Sequence, residues 1–395
     1  MIPILKFITL TFLIATLSSN ANENCELFAD IDAPDIADAK YYYFENKTLV
    51  CANSTNFKSS KHDYQIVRAH INKVTTQRVL ASSHGYHLIQ GQINCDIEHC
   101  DHVDIISLDN FKNIQQVKID TTTLKGNNIT QSLVNQIDAG LWLADDVTLS
   151  SWSRISGSTD NNNAKVWIEN KMNALGLQVS TPAFTVFGNT THNIIGIQTG
   201  STRANDWYIV GAHMDSTSFS GAAPGAVDNA SGCAGVLEIA RIASLYSFEA
   251  TIFFICYSGE EQGLIGSYNH VNSIISAGDQ NKVKAALILD MIGYTSSTDN
   301  DLLLESSSSN QWLIDILIQN AAIYVPSLTV FTSTNPYGSD HVPYINNDMH
   351  GILSIDDDWN VYPGYHQNTD LPENLSLTQG EYILKTNIAS LAQLA

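Results

Sequence analysis

Basic residues are scarce in this sequence. Its 395 residues include 19 Lys and Arg against 40 Asp and Glu, a formal charge of −21. A chain so short of cations offers no basic patch, which excludes nucleic acid and anionic membrane surfaces as partners. Charged residues of either sign make up only 15%, below the usual quarter or so. Asn, Ser and Thr supply polarity instead. The hydrophobic share, 44%, is ordinary, so the chain is not disordered, a coiled coil or a multi-span membrane protein. Internal repeats and long low-complexity tracts are missing. Beyond the first residues, no apolar run approaches the ~18 residues of a spanning helix.

The one apolar run of note, residues 7–17, follows Lys6 and precedes Ser19-Asn20-Ala21. This pattern predicts a secretory signal peptide over 1–21, with the mature protein secreted and starting near Asn22. The other reading is an uncleaved anchor. The remaining length predicts two or three domains at about 150 residues each. Six cysteines suit export. Chain order favours disulfides Cys25–Cys51 and Cys95–Cys100, although His99 and His102 beside the second pair also allow a metal site. Cys233 and Cys256 sit in apolar stretches and read as buried thiols.

Residues 22–125 read as short β-leaning pieces, such as 64–68, 86–90 and 103–107, with no catalytic constellation. His62, His70, His84, His87, His99 and His102 are scattered there and read as surface or hydrogen-bonded histidines. Gly126-Asn127-Asn128 marks a boundary. Beyond it, helices are predicted over 129–143, 164–175, 233–245, 266–277 and 311–322. A capping box at Thr378 and Glu381 opens a last helix. Runs rich in β-branched residues over 193–197, 207–211, 251–256 and 285–289 read as strands buried on both faces. The alternation predicts an α/β fold with a mostly parallel sheet covered by helices.

Three of those strands run into metal-ligand chemistry. The first ends in His213-Met-Asp215, the second in Glu260-Glu261, the third in Asp290. A turn-rich loop carries Asp228, and His366 follows near the end. Each residue alone has an ordinary explanation as a loop histidine, a helix cap or a solvated acid. Carboxylates and imidazoles from several strands at one sheet edge, where open α/β sheets bind ligands, do not.

Together these residues resemble the zinc aminopeptidases of peptidase family M28, in particular the secreted bacterial leucine-aminopeptidase type. The resemblance spans residues 129–395. It is carried by His-x-Asp at 213–215, Ala-Pro-Gly-Ala-x-Asp at 223–228, Glu-Glu-x-Gly at 260–263, Gly266-Ser267, Asp290-Met291, Ser339-Asp340-His341, His366 and Thr369-Asp370. It implies a zinc-exopeptidase fold of the phosphorylase/hydrolase-like kind: a mixed, mostly parallel sheet flanked by helices over 126–395, after a smaller β-rich, propeptide-like N-terminal domain over 22–125. It also implies two Zn²⁺ per chain. His213 and Asp290 would hold one, Glu261 and His366 the other, and Asp228 would bridge them. Glu260 would be the general base, Asp215 would orient His213, and Tyr337 is a candidate oxyanion donor, whereas Asp340 and His341 would be structural. Val227 departs from the family, whose members often have Asp there, and the family's Cys pair around Tyr337 is missing.

The substrates implied are peptides with a free N-terminus, acted on by a monomer with no stable membrane association. Asp356-Asp357-Asp358 precedes His366 and would favour basic first residues if it lines the side-chain pocket; otherwise it is a solvated loop and leucine or aromatic residues are favoured. A glutaminyl cyclase-like acyltransferase on the same fold is the rival from another class. A non-catalytic binding protein on a degenerate scaffold should have lost Glu260 or a ligand, and nothing is lost. A dinuclear carboxypeptidase or deacetylase needs a basic group for the substrate carboxylate, and the sequence offers no obvious Arg near the site.

Overall fold

The computed structural model describes residues 124–395 throughout and, before them, 24–29, 40–44, 47–52, 59–61, 64–69, 79–84, 86–90 and 104–117. The Cys95–Cys100 pairing and the signal peptide fall outside the described residues.

Two small antiparallel sheets come first. Strands β1 (Asn24–Ala29), β2 (Lys40–Phe44), β3 (Lys47–Ala52) and β4 (Ser59–Ser60) lie in the order β2-β3-β1-β4. Register pairs Cys25 with Cys51, and the two form a disulfide. Strands β5 (Tyr64–Arg68), β6 (Val79–Ser83), β7 (Tyr86–Gln90) and β8 (Asp104–Ile106) lie in the order β6-β7-β5-β8. Their apolar faces meet around Leu49, Ile66, Tyr86 and Leu88, which are buried.

The large sheet has nine strands. These are β9 (Gln115–Gln116), β10 (Gln178–Ser180), β13 (Ile194–Gln198), β14 (Arg203–His213), β15 (Ala250–Tyr257), β16 (Val283–Leu289), β17 (Asp301–Glu305), β18 (Thr329–Ser333) and β19 (Gly351–Ile355), in the order β10-β13-β15-β14-β16-β19-β17-β18-β9. A hairpin, β11 (Ala183–Val186) with β12 (Asn189–His192), stands apart. The central strands β15, β14, β16 and β19 are parallel to one another, as the alternation of strands and helices predicted. Direction reverses toward both edges, at β13 and at β17.

Both faces of the centre are covered, which explains the unbroken apolar runs. Tyr208, Val210 and Ala212 pack on one side with helices α2 (Ala139–Ser150), α4 (Ser231–Ala243), α6 (Gln311–Tyr324) and α8 (Leu377–Leu394). Ile209, between them, packs on the other side with α5 (Ile265–Ala277) and α7 (Val342–Ile345). Helix α3 (Thr159–Ala174) is opened by Ser158, whose Oγ accepts from Asn161 N at 3.0 Å. It closes before Gly176, at φ +77°, the left-handed turn that glycine adopts without strain.

Three sequence expectations need correction. The helix over 129–143 is two helices, α1 (Asn128–Val134) and α2: the first stops at Val134, and Asp138 caps the second through Gly140 N and Leu141 N. The last helix starts at Leu377, capped by Ser376 to Gln379 N, so Thr378 lies inside it. Cys233 and Cys256 are joined in a disulfide, not free thiols, since α4 packs on β15 and holds their Cα atoms 5.8 Å apart.

Candidate metal centre

Parallel neighbours bring their carboxyl ends to one edge, and β14, β15 and β16 are neighbours. His213 is the last residue of β14, and Asp290 directly follows β16. After β15 the chain turns through Gly259 at φ +76°, where a Cβ would meet Val186 at 2.8 Å, and delivers Glu260 and Glu261. Asp228 comes from the loop between β14 and α4, and His366 from the loop before α8.

These six side chains converge and all are buried. His213 Nε2 lies 3.3 Å from Asp228 Oδ1 and 3.4 Å from Asp290 Oδ1. His366 Nε2 lies 3.2 Å from Asp228 Oδ2 and 3.1 Å from Glu261 Oε2. Asp228 thus turns one oxygen to each of two imidazoles. Glu260 Oε2 stands further off, 4.0 Å from His213 Nε2. Ligand atoms of His213, Glu260 and Asp290 lie within 4.8 Å of one another, as do those of His213, Asp228 and Glu261.

The chain holds these groups in place. His213 Nδ1 donates to the carbonyl of Asp215 at 3.1 Å, while the nearer Asp215 carboxylate oxygen is 3.7 Å away. That carboxylate instead accepts from the amides of Glu260 and Glu261, both at 3.3 Å. Asp215 therefore orients the imidazole through its backbone and the Glu-Glu turn through its side chain. Asp370 accepts from Val227 N at 2.8 Å and Asp228 N at 3.0 Å, and Tyr362 OH donates to it at 2.7 Å. Ser339 Oγ donates to Asp290 Oδ2 at 2.7 Å. The buried Arg154 donates to the carbonyls of Met214, Pro224 and Gly225 and so fixes both ends of the loop leading to Asp228.

The donor set fits divalent cations. Four carboxylates share a buried site with two imidazoles, and the strain shows in their protonation. Burial, then the charges of Glu261 and Asp290, push the Glu260 carboxyl well above the usual range, with His213 partly offsetting them. Burial likewise pushes Glu261 up to about 7. Burial opposes a charged His366, yet Glu261 and Asp228 hold it up to about 10. Asp290 Oδ1 is buried, and no hydrogen-bond donor reaches it among the described residues. A cation there would complete it, since buried carboxylates need a paired charge.

The cleft at these donors is also lined by Met291, Tyr337, Leu353, Ile355 and Trp359. Tyr337 is thus on its wall. Asp340 and His341 are fully buried, and neither belongs to the groups of converging ligand atoms. The aspartate run is not on the cleft wall: Asp356 accepts from Tyr294 N, Asp357 lies 2.6 Å from His84 Nδ1, and Asp358 accepts from Ser296 N. Sequence reasoning missed three residues. Arg154 gave no local signal. Arg68, on the cleft wall, and Glu305, its partner at 2.8 Å, lie 237 residues apart. Because β17 runs against β14, β15 and β16, searching their carboxyl ends does not reach Glu305.

The profile of Peptidase family M28 matches residues 193–390, half of the chain. A probable zinc metalloprotease of Pyrenophora teres f. teres (strain 0-1) is 37% identical over 119 residues, 29% of this chain and 25% of that protein. Aminopeptidase YwaD of Bacillus subtilis (strain 168) is 32% identical over 203 residues, 49% of this chain and 42% of that protein. The chain thus spans less than half the length of either relative. Among solved structures, the LapA aminopeptidase of Legionella pneumophila has a TM-score of 0.62 at 20% identity, covering 83% of this chain and 98% of that one. A Bacteroides thetaiotaomicron glutaminyl cyclase has a TM-score of 0.54 at 18% identity, covering 65% and 98%. Both likenesses concern the fold.

Proposed function

The chain belongs to peptidase family M28, and from that premise we propose that it is a secreted dinuclear zinc aminopeptidase, releasing the first residue of peptides that have a free N-terminus. One observation carries the reading: Asp228 turns its two oxygens to two different imidazoles, 3.3 and 3.2 Å away, each with a further carboxylate beside it. His213 and Asp290 would hold one Zn²⁺, His366 and Glu261 the other, and Asp228 both. Imidazole nitrogen and carboxylate oxygen are the donors zinc takes, and five of them leave positions for water and substrate. When bound, the paired ions supply Lewis acidity toward the scissile carbonyl and lower the pKa of water toward about 7.

The chain's own residues do the rest. Glu260 is buried and set back from the five donors, so its carboxylate is available to take a proton from the attacking water and return it to the leaving amine nitrogen. Asp215 positions His213 and the Glu260-Glu261 turn together. Tyr337, on the cleft wall, is the candidate for stabilising the developing oxyanion.

Residues 22–125 act as a prodomain that covers the cleft or assists folding; Arg68 on the cleft wall supports the first role. The two disulfides among the described residues suit an exported protein, and no helix among those residues is long and apolar enough to cross a membrane. The protein works as a monomer.

The test is metal content with turnover of aminoacyl chromogenic amides, before and after chelation, for the wild type and Glu260→Gln. The expected result is about two zinc ions in both proteins. Turnover should stop on chelation and fall about 10²–10⁴-fold in the variant. One zinc or none, undiminished hydrolysis by Glu260→Gln, or cyclisation of N-terminal glutamine in place of hydrolysis would overturn it.

A further inference from the structure

Glu305 is a fully buried carboxylate that none of the chemistry above uses. It accepts hydrogen bonds from Arg68 Nη2 at 2.8 Å, from Tyr86 OH at 3.1 Å and from Tyr337 N at 3.0 Å. The first two donors belong to the small N-terminal sheets, and only the third belongs to the body that carries the metal donors. Burial raises the carboxyl and Arg68 works against that rise. A buried carboxylate that loses its cation is poorly tolerated. Were the N-terminal segment to withdraw, Glu305 would keep the Tyr337 amide and the Ser333 hydroxyl but no cation, and would need another positive partner.

Arg68 is held in the manner of a ligand. Its guanidinium carbon lies 4.5 Å from the ring centre of Trp359 and 5.1 Å from that of Tyr337, both from the peptidase body, and 4.9 Å from Tyr86. Aromatic faces at such distances attract a guanidinium. Arg68 lines the same cleft as His213, Asp228 and Glu260, together with Leu353, Ile355 and Trp359. Its Nε and Nη1 are buried and find no acceptor among the described residues, so the fit is partial. A cleft that brings metal donors, apolar residues and an aromatic clamp together, with a buried acid at the clamped guanidinium, suits one kind of side chain. That side chain has an aliphatic stem and a cationic tip.

We propose that Arg68 is an internal stand-in for the substrate's first side chain, and that Glu305 makes this pocket select lysine or arginine at the N-terminus of peptides. The inference rests on the aminopeptidase reading only where hydrolysis is concerned, because binding can be read without it. A preference for basic residues, which the sequence tied to Asp356-Asp357-Asp358, falls instead to an acid on a different strand.

The test uses the full-length chain with Arg68→Ala, and with Arg68→Ala combined with Glu305→Leu. Binding of argininamide and leucinamide is measured by thermal shift and titration, and turnover of arginyl and leucyl chromogenic amides is measured alongside. Arg68→Ala is expected to bind argininamide on the order of 10²-fold tighter than leucinamide, the scale on which a site built around a polar partner rejects an analogue lacking it. The double variant should lose that preference, and the wild type, with its pocket filled, should bind neither well. Parity between the two amides, or a leucine preference, in Arg68→Ala overturns the inference. If Arg68→Ala folds poorly, its refolding yield becomes the readout. Recovery with argininamide and not with leucinamide is expected, and equal recovery or none overturns it. Argininamide binding without turnover of the arginyl amide removes the aminopeptidase reading and leaves the pocket standing. Faster turnover of the leucyl amide does the reverse.

Discussion

Acid should weaken this fold through one histidine remote from the metal donors. His270, on α5, is buried beneath Tyr344, whose OH lies 2.8 Å from its Nδ1 and 2.6 Å from Tyr257 OH. Burial lowers its pKa from 6.5 to about 4. Near pH 7 the imidazole is neutral folded or unfolded and contributes nothing to the balance. At pH 5 the unfolded chain has taken up the proton and the folded one has not, so the equilibrium moves toward unfolding. Over the 1.5 units between pH 6.5 and 5, at about 1.4 kcal/mol per unit, the loss is about 2 kcal/mol. It grows until pH falls to about 4 and then levels off, because the folded imidazole also charges. Urea unfolding at pH 7 and pH 5, for the wild type and for His270→Gln, isolates the effect. The variant starts less stable but should lose about 2 kcal/mol less between the two pH values. Equal losses in the two proteins would refute the argument, and so would an imidazole pKa above 6 by NMR in the folded protein.

Two further outcomes are expected. Asp370→Asn removes a carboxylate that accepts from Val227 N and Asp228 N, and zinc affinity by competition with a chelator should fall about 10–100-fold while the fold persists. Replacing Cys233 and Cys256 by Ala releases a cross-link between residues 23 apart, and guanidinium unfolding should show a loss of about 3 kcal/mol.

Much of the site was legible because its parts are local. His213, Glu260, Glu261 and Asp290 each follow a β-rich apolar run, and the parallel order of those strands converts three separate motifs into one cluster. Asp228 and His366 stood in loops, and only the family resemblance assigned them to particular metals. What stayed hidden depends on pairing across the chain. Asp215 was expected to orient His213, and its contact with the imidazole runs through the backbone carbonyl, a detail that spacing cannot supply. The aspartate run looked like a pocket wall, yet its three side chains turn to Tyr294, His84 and Ser296. Arg154 gathers carbonyls from three segments, and no pattern along the sequence marks a residue chosen for what folds around it. The helical period over 129–143 was real on both sides of a break that opens after Val134 and closes at the Asp138 cap.

The two-residue strand β9 gives the location of any processing cut a mechanical meaning. Gln115 and Gln116 pair with Thr332 and Phe331, and so form the outermost rung of the nine-stranded sheet. Scission upstream of Gln115 would free the Arg68 plug and leave that rung in place. Scission downstream of Gln116 would strip it away, baring the backbone of β18 to other chains as an unprotected sheet edge. Two maturation sites a few residues apart would therefore yield enzymes with the same open cleft and different tendencies to clump.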